Sequence, residues 1–343
     1  MIKWYEKNGP EGDVVISTRI RFARNLAKFP FPCKLKNDQR KEIIKLIKNA
    51  VNSDELSSNY KNLKFLDFND LDELSKLSLL EKHIVSPDFI SGSNEKGLIV
   101  SDDDSISIMI NEEDHLRIQV FSSGFDLENT FNLAKEIDEK FDENFNIAKS
   151  QKYGYLTACP TNVGTGLRVS VMVHLPALAK TGNLRKMFDV IGKFGVNIRG
   201  IHGEQSKSQG YIYQISNKQT IGLSEETIMK NLKVIIEKVI DNEREARKIL
   251  AKNQVELEDE VYRSFGILKF CKKISGEEMA KLLSDVKLGT DLGIIKETDD
   301  TKVLKLYLYS KSGNLQKYVG QKLETYDRDI KRAEIIKQII KGE

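Results

Sequence analysis

Four short segments concentrate arginines and carboxylates more densely than a packed scaffold requires. Ser17-Thr18-Arg19-Ile20-Arg21 sets two arginines at alternate positions, so both share one face of a strand. Asn111-Glu112-Glu113-Asp114-His115-Leu116-Arg117 runs three acids into an arginine as a strand resumes. Cys159-Pro160-Thr161-Asn162-Val163-Gly164-Thr165-Gly166-Leu167-Arg168 is a glycine-bearing loop feeding a strand that begins with an arginine. Arg199-Gly200-Ile201-His202-Gly203-Glu204 places an arginine and a glutamate five apart in a glycine-flexed loop. Arginine forks hold pairs of phosphate oxygens, which suits a nucleotide triphosphate better than lysine does. The carboxylates answer a different need. A guanidinium, with a pKa of roughly 12.5–13.8, never deprotonates on its own near neutrality. Attack by its nitrogen requires carboxylates that align the planar group and accept its proton. An arginine cage beside paired glutamates is what phosphoryl transfer to a guanidinium demands.

These residues need elements to position them. Residues 14–22 read as a strand with Arg19 and Arg21 on one face and Thr18, Ile20 and Phe22 on the other. Residues 38–52 form an amphipathic helix, with Asp38 as N-cap and Ile43, Leu46 and Ile47 on its apolar stripe. Strand signals follow at 97–100, 105–110, 116–121, 168–175 and 211–215, and helical ones at 128–141, 183–194 and 224–240. The pattern predicts an α+β fold, a mostly antiparallel sheet flanked by helices. Beyond residue 224 the chain turns to helix formers rich in Lys, Glu, Ile and Leu. The expected division is therefore a catalytic domain over 1–224 and a closely docked helical domain over 225–343.

Bulk properties exclude several classes. The 343 residues are 40% hydrophobic and 31% charged with a net charge of +3, which predicts a globular chain and no direct nucleic-acid binding. Cys33, Cys159 and Cys271 are odd in number and form no C-x-x-C pair, against a disulfide framework or zinc site. The N-terminal MIKWYEKNGPEGD lacks the apolar stretch of a signal peptide, and no apolar run approaches the ~18 residues of a membrane span. The expected address is cytoplasmic, with no membrane partner. No Walker loop, G-x-G-x-x-G helix entry, H-R-D or D-F-G occurs. Asp102-Asp103-Asp104 reads as a hairpin turn, not a metal cluster. His115 and His174 read as packing or hydrogen-bonding residues, and Cys33 and Cys271 as structural.

N-E-E-D-H-L-R-I, C-P-T-N-x-G-T and R-G-x-x-G-E, in this order, resemble the phosphagen kinases over about residues 14–224. Length and the C-terminal half resemble the bacterial protein-arginine kinases of the McsB type. The resemblance implies that Arg19, Arg21, Arg117, Arg168 and Arg199 hold the ATP phosphates, within a nucleotide site spanning Ser17, Thr18, Arg19, Ile20 and Arg21. The strand Arg168, Val169, Ser170, Val171 and Met172 and the loop Arg199, Gly200, Ile201, His202, Gly203 and Glu204 would complete it, with His83 near the adenosine. It further implies Glu113 as catalytic base, Glu204 orienting the guanidinium, Cys159 against the substrate, and Mg2+ held mainly through the phosphates. The helical domain that precedes this strand in small-guanidine kinases has no counterpart before Ser17, which favours a protein side chain over a free amino acid. Near the tail, Arg328, Asp329, Arg332 and Ala333 match an R-D-x-x-R-A segment that implies an allosteric phosphoarginine site. The implied partners are a McsA-type activator, the repressor CtsR as substrate, the ClpC/ClpP protease machinery and a second copy in a homodimer. A free-arginine kinase and a non-catalytic phosphoarginine adaptor are the alternatives.

Overall fold

The computed structural model describes residues 2–52, 60, 62–92, 94–200 and 209–341. The order is β1 (Val15–Arg24), α1 (Asn37–Asn52), β2 (Lys64–Asp67), α2 (Glu73–Glu81), α3 (Pro87–Ser91), β3 (Gly97–Val100), β4 (Ile106–Ile110) and β5 (Leu116–Ser123). Then come α4 (Leu127–Asn144), β6 (Lys149–Ser150), β7 (Gly154–Tyr155), β8 (Leu167–His174), α5 (Pro176–Lys180), α6 (Leu184–Gly192), β9 (Val196–Gly200) and β10 (Ile212–Asn217). The remainder is helical: α7 (Glu225–Leu250), α8 (Gln254–Phe270), α9 (Gly276–Asp291), α10 (Asp300–Tyr309), α11 (Ser312–Val319) and α12 (Thr325–Lys341). Among the described residues, eight strands form one sheet in the order β2-β3-β4-β5-β1-β8-β10-β9, every neighbouring pair antiparallel.

β1 lies at the centre because both of its faces have work to do. Ile20 and Phe22 are fully buried, and with Ile118, Val120, Val169, Val171 and Ile215 they form one apolar face. Helix α4 closes it with Phe131, Ala134, Ile137 and Phe141, and α7 with Ile228, Leu232, Ile236 and Val239. Helix α1 adds Ile43 and Ile47, four apart and fully buried. Leu46, expected on that stripe, is instead 36% exposed, because it flanks the Ile43/Ile47 line and turns toward solvent.

A second core joins Leu257, Val261, Phe265 and Leu268 of α8 to Leu283, Val286, Val303, Ala333 and Ile336. Ile16, Met172 and Ile212 pack into it, so the helical region docks on one end of the sheet. The expected division at 224/225 falls at the head of α7, but α7 packs with the sheet and the second core begins at α8.

Buried charges cross the seam. Arg247 on α7 donates to Asp13 O at 2.8 Å and pairs with Glu243 at 3.1 Å and Asp291 at 3.2 Å. Lys287 on α9 pairs with Asp291 at 2.9 Å and donates to Gly12 O at 3.0 Å. His174 Nε2 shares a 2.7 Å hydrogen bond with Ser284 across the same seam. The Asp102–Asp104 turn joins β3 to β4, with Asp103 Oδ1 accepting from Ser105 N and Asp104 pairing with Lys3 and Lys82.

Candidate active site

Strand register alone assembles the arginines. Residues directly opposite in an antiparallel pair point to the same side. Arg21 lies opposite both Arg168 and Gln119, Arg19 opposite Ser170 and Phe121, and Ala23 opposite Arg117. Ser17 lies opposite Met172, which faces Gln214, and Gln214 faces Arg199. Arg19, Arg21, Arg117, Arg168 and Arg199 therefore share the face opposite the α4/α7 core, together with Ser17, Ser170 and Met172. The same alternation turns four side chains of the expected nucleotide segments away from that face. Thr18, Ile20, Val169 and Val171 are fully buried on the opposite face, so these side chains anchor the strands in the core and do not reach the arginine face.

The guanidinium groups crowd one another. Burial and the charges of Arg117 and Arg168 bring Arg19 down to about 10. Burial, then Arg19, Arg117 and Arg168, push Arg21 well below the ordinary arginine range. Arg168 is also lowered, by burial, Arg199 and Arg117, while Cys159 and Glu113 act in the opposite sense. Arg21 Nε, Arg168 Nε and Ser170 Oγ are buried without a hydrogen-bond partner. Cations that repel, with donors aimed at nothing, are the complement of a polyanion such as a triphosphate. Arg19 Nη2 donates to Gln214 Oε1 at 3.0 Å, and its guanidinium lies 5.9 Å from the Phe121 ring. Trp4 stacks on that ring at 5.5 Å.

The acidic turn separates its two glutamates. Glu112 Oε2 pairs with Arg117 Nη1 at 2.6 Å and its side chain is 4% exposed. Glu113 Oε2 stands 3.7 Å from Arg117 Nη2, and its side chain is 44% exposed. Glu112 is committed to the scaffold, also accepting from Ser86 Oγ. Glu113 is the more exposed of the two.

The Cys159 loop is tied to the same turn through Ala158 N, which donates to Asp114 Oδ1 at 2.7 Å, and Cys159 Sγ is 3.0 Å from Thr161 Oγ1. Thr220 Oγ1 donates to Thr161 O at 2.8 Å and Val163 O at 2.7 Å, fixing the loop from outside. Gly164 has φ of 110°, and a Cβ there would lie 2.5 Å from Thr220 O, so only glycine fits this approach. Cys33, read as structural, is exposed and Cys271 half-buried.

His83 turns between α2 and α3 with φ of 60°. The adjacent Ile84 O accepts from Ser107 Oγ at 2.7 Å and from Gln119 Nε2 at 3.0 Å. Gln119 neighbours Arg21, so the His83 turn is tied over the arginine face. Arg199 and Gly200 end β9, whereas Ile201, His202, Gly203 and Glu204 lie outside the described residues. Sequence reasoning missed Gln119, Phe121, Gln214 and Trp4. The first three stand at same-face positions opposite Arg21, Arg19 and Arg199, a signal that pairing register would have supplied. Among the described residues no three His, Cys, Asp or Glu side chains are grouped to hold a metal ion.

In the tail, the two arginines of the R-D-x-x-R-A segment sit in different surroundings. Arg332 is 2% exposed; its Nε donates to Ser310 O and its Nη1 to Ile274 O, both at 2.8 Å, and it pairs with Asp329. Ala333 is fully buried in the second core. Arg328 donates to Thr325 Oγ1 at 3.2 Å and keeps a buried Nε without a partner. Arg332 is thus a tie between α12 and two loop carbonyls, because a buried guanidinium must satisfy its own donors.

Comparisons with known proteins define the class. The profile of the ATP:guanido phosphotransferase C-terminal catalytic domain matches residues 42–246, and that of the protein-arginine kinase McsB C-terminal domain matches 254–342. The chain belongs to the ATP:guanido phosphotransferase family and is a phosphotransferase. A protein-arginine kinase of Halothermothrix orenii is 46% identical over 97% of this chain and 95% of its own length. One from Bacillus pumilus is 44% identical over 99% and 94%. Among solved structures, the duplicated taurocyamine kinase of Schistosoma mansoni with bound transition-state analog components aligns at TM-score 0.62 and 26% identity. That alignment covers 69% of this chain and 34% of the duplicated one. Lombricine kinase aligns at TM-score 0.58 and 25% identity, over 71% of this chain and 69% of its own.

Proposed function

We propose that the protein transfers the γ-phosphoryl group of ATP to arginine guanidinium groups of substrate proteins. The observation that carries the choice of a protein acceptor is the match of residues 254–342 to the protein-arginine kinase domain, joined to a sheet that sets five arginines on one face, with Glu113 3.7 Å from Arg117. In this reading Arg19, Arg21, Arg117, Arg168 and Arg199 grip the phosphates, with Mg2+ held by phosphate oxygens. Glu204 orients the acceptor, Cys159 lies against it, and Glu113 takes its proton. A guanidinium nitrogen attacks the γ-phosphorus, the N–P bond forms, the P–O bond to ADP breaks, and charge on the moving phosphoryl oxygens is met by preorganised cations.

Several further properties follow from the resemblance: a cytoplasmic stress-response role, a McsA-type activator, CtsR as substrate and delivery of marked proteins to ClpC/ClpP. A homodimer through the helical region is supported by Val255, Tyr262 and Phe270, exposed apolar residues along α8. No helix among the described residues is long and apolar enough to cross a membrane. Phosphoarginine control through Arg328, Asp329, Arg332 and Ala333 has the least support from packing, since Arg332 is already bonded.

The test is incubation with ATP and either an arginine-bearing protein such as casein or free arginine. The expected product is an acid-labile, alkali-stable label on protein. Label on free arginine alone would make this a small-guanidine kinase, and binding of phosphoarginine without turnover would make it an adaptor.

A further inference from the structure

Asn25 directly follows β1, and it is 1% exposed. Its carboxamide reaches two distant segments at once. Nδ2 donates to Asp114 Oδ1 at 2.6 Å and to Leu156 O at 3.1 Å, while Oδ1 accepts from His115 N at 2.9 Å. Asp114 Oδ1 in turn accepts from Ala158 N at 2.7 Å. The backbone closes the ring: Leu26 N donates to His115 Nδ1 at 3.0 Å, and Ala148 N donates to Asn25 O at 2.7 Å. A local turn would satisfy a buried asparagine with its own neighbours. This one spends its bonds on partners 89, 90 and 131 residues away.

The held residues are the immediate neighbours of the reactive ones. Asp114 follows Glu113, and Ala158 precedes Cys159. One carboxamide therefore joins the end of the arginine-bearing strand, the turn that presents Glu113 and the loop that presents Cys159. No other small side chain supplies both donors and the acceptor. Aspartate would set a second carboxylate against Asp114, and serine is too short to reach both segments.

We propose that Asn25 is a positioning residue: acting through Asp114, it sets the gap between Glu113 and Cys159 that the acceptor guanidinium enters. This rests on the guanidinium-transfer reading above. The arginine face itself is built by strand register and does not depend on Asn25, so phosphate binding and acceptor alignment should separate on mutation.

The experiment compares wild type, Asn25→Ala and Asn25→Asp for kcat, for KM of ATP and of the protein substrate, and for thermal midpoint. Asn25→Ala should lose about 10–100-fold in kcat, because a reacting group misplaced by about an ångström costs on that order. Its KM for ATP should stay within about twofold of wild type. In Asn25→Asp two carboxyls cannot both ionise at this distance, and one takes a proton more readily as pH falls. Asp114 is also faced by Glu113, which works in the same sense, and by Arg117, which opposes it. The activity of Asn25→Asp relative to wild type should therefore rise from about pH 8 to about pH 6, while that of Asn25→Ala stays flat. An Asn25→Ala kcat within about twofold of wild type overturns the proposal. So do a joint fall in kcat, ATP affinity and thermal midpoint, and identical pH behaviour of the two variants. If wild type forms no phosphoarginine, the functional reading fails, and the Cys159 alkylation rate still judges the clamp. A change of about threefold or more in Asn25→Ala supports it, and an unchanged rate overturns it.

Discussion

Glu112 and Glu113 are neighbours in the chain with opposite fates, since one is clamped to Arg117 and Ser86 while the other projects. Glu113→Gln keeps the shape and removes the proton acceptor, so turnover should fall by about 10²–10⁴-fold with nucleotide binding retained. Turnover kinetics beside a nucleotide titration decide this; a loss of less than about threefold would release Glu113 from its role. Arg168 belongs to the same scale. Arg168→Lys keeps a charge but loses the planar fork, and turnover should drop further than ATP affinity. Weaker ATP binding with unchanged turnover would make Arg168 a ground-state contact only. At this scale the sequence showed residue types and not directions. Arg19 and Arg21 were legible because alternation places them together. Ile20 and Val169 were drawn in with their motifs although the same alternation turns them into the core.

At the scale of elements, the long central strands and amphipathic helices were legible, and the edges were not. β2 is four residues long with only partly covered side chains, and β9 follows a glycine and lies at the sheet's edge, so neither shows a strong period-2 burial pattern. Helix α2 (ELSKLSLLE) lacks a clean apolar stripe, so its sequence carries no helical period. Loops carry their signal in glycines instead. Gly164→Ala would force an L side chain into φ of 110° against Thr220 O. The loop should shift or lose about 1–3 kcal/mol. We expect faster or slower alkylation of Cys159, reduced turnover and a lower denaturation midpoint. A variant matching wild type in all three would show that the loop tolerates the change.

For the whole molecule, the seam between sheet and helices carries buried charge as well as apolar packing. Burial raises the Glu243 carboxyl and lifts Asp291 to about 7, despite Arg247 and Lys287 beside them. Raised carboxyl pKa values mean that the folded chain holds protons the unfolded chain has released. The Asp291 contribution to stability is full below about pH 4 and is lost as pH rises through about 7, and Glu243 acts in the same direction. Arg247→Met removes the cation shared by Glu243 and Asp291 and should cost about 3–5 kcal/mol at neutral pH. Chemical denaturation should show that deficit shrinking toward about pH 5, as the stranded carboxyls take up protons. A deficit constant with pH would mean that the two carboxyls are not what the arginine serves. No sequence pattern announced this seam, because its members are scattered from Asp13 to Asp291 and meet only after both cores have formed. The same long-range assembly leaves an optical consequence on the arginine face. Trp4 is the chain's single tryptophan and stacks on Phe121, the ring beside which Arg19 rests. Its ultraviolet emission is therefore a native spectroscopic gauge of the arginine face, read without a label and with no second indole to obscure it.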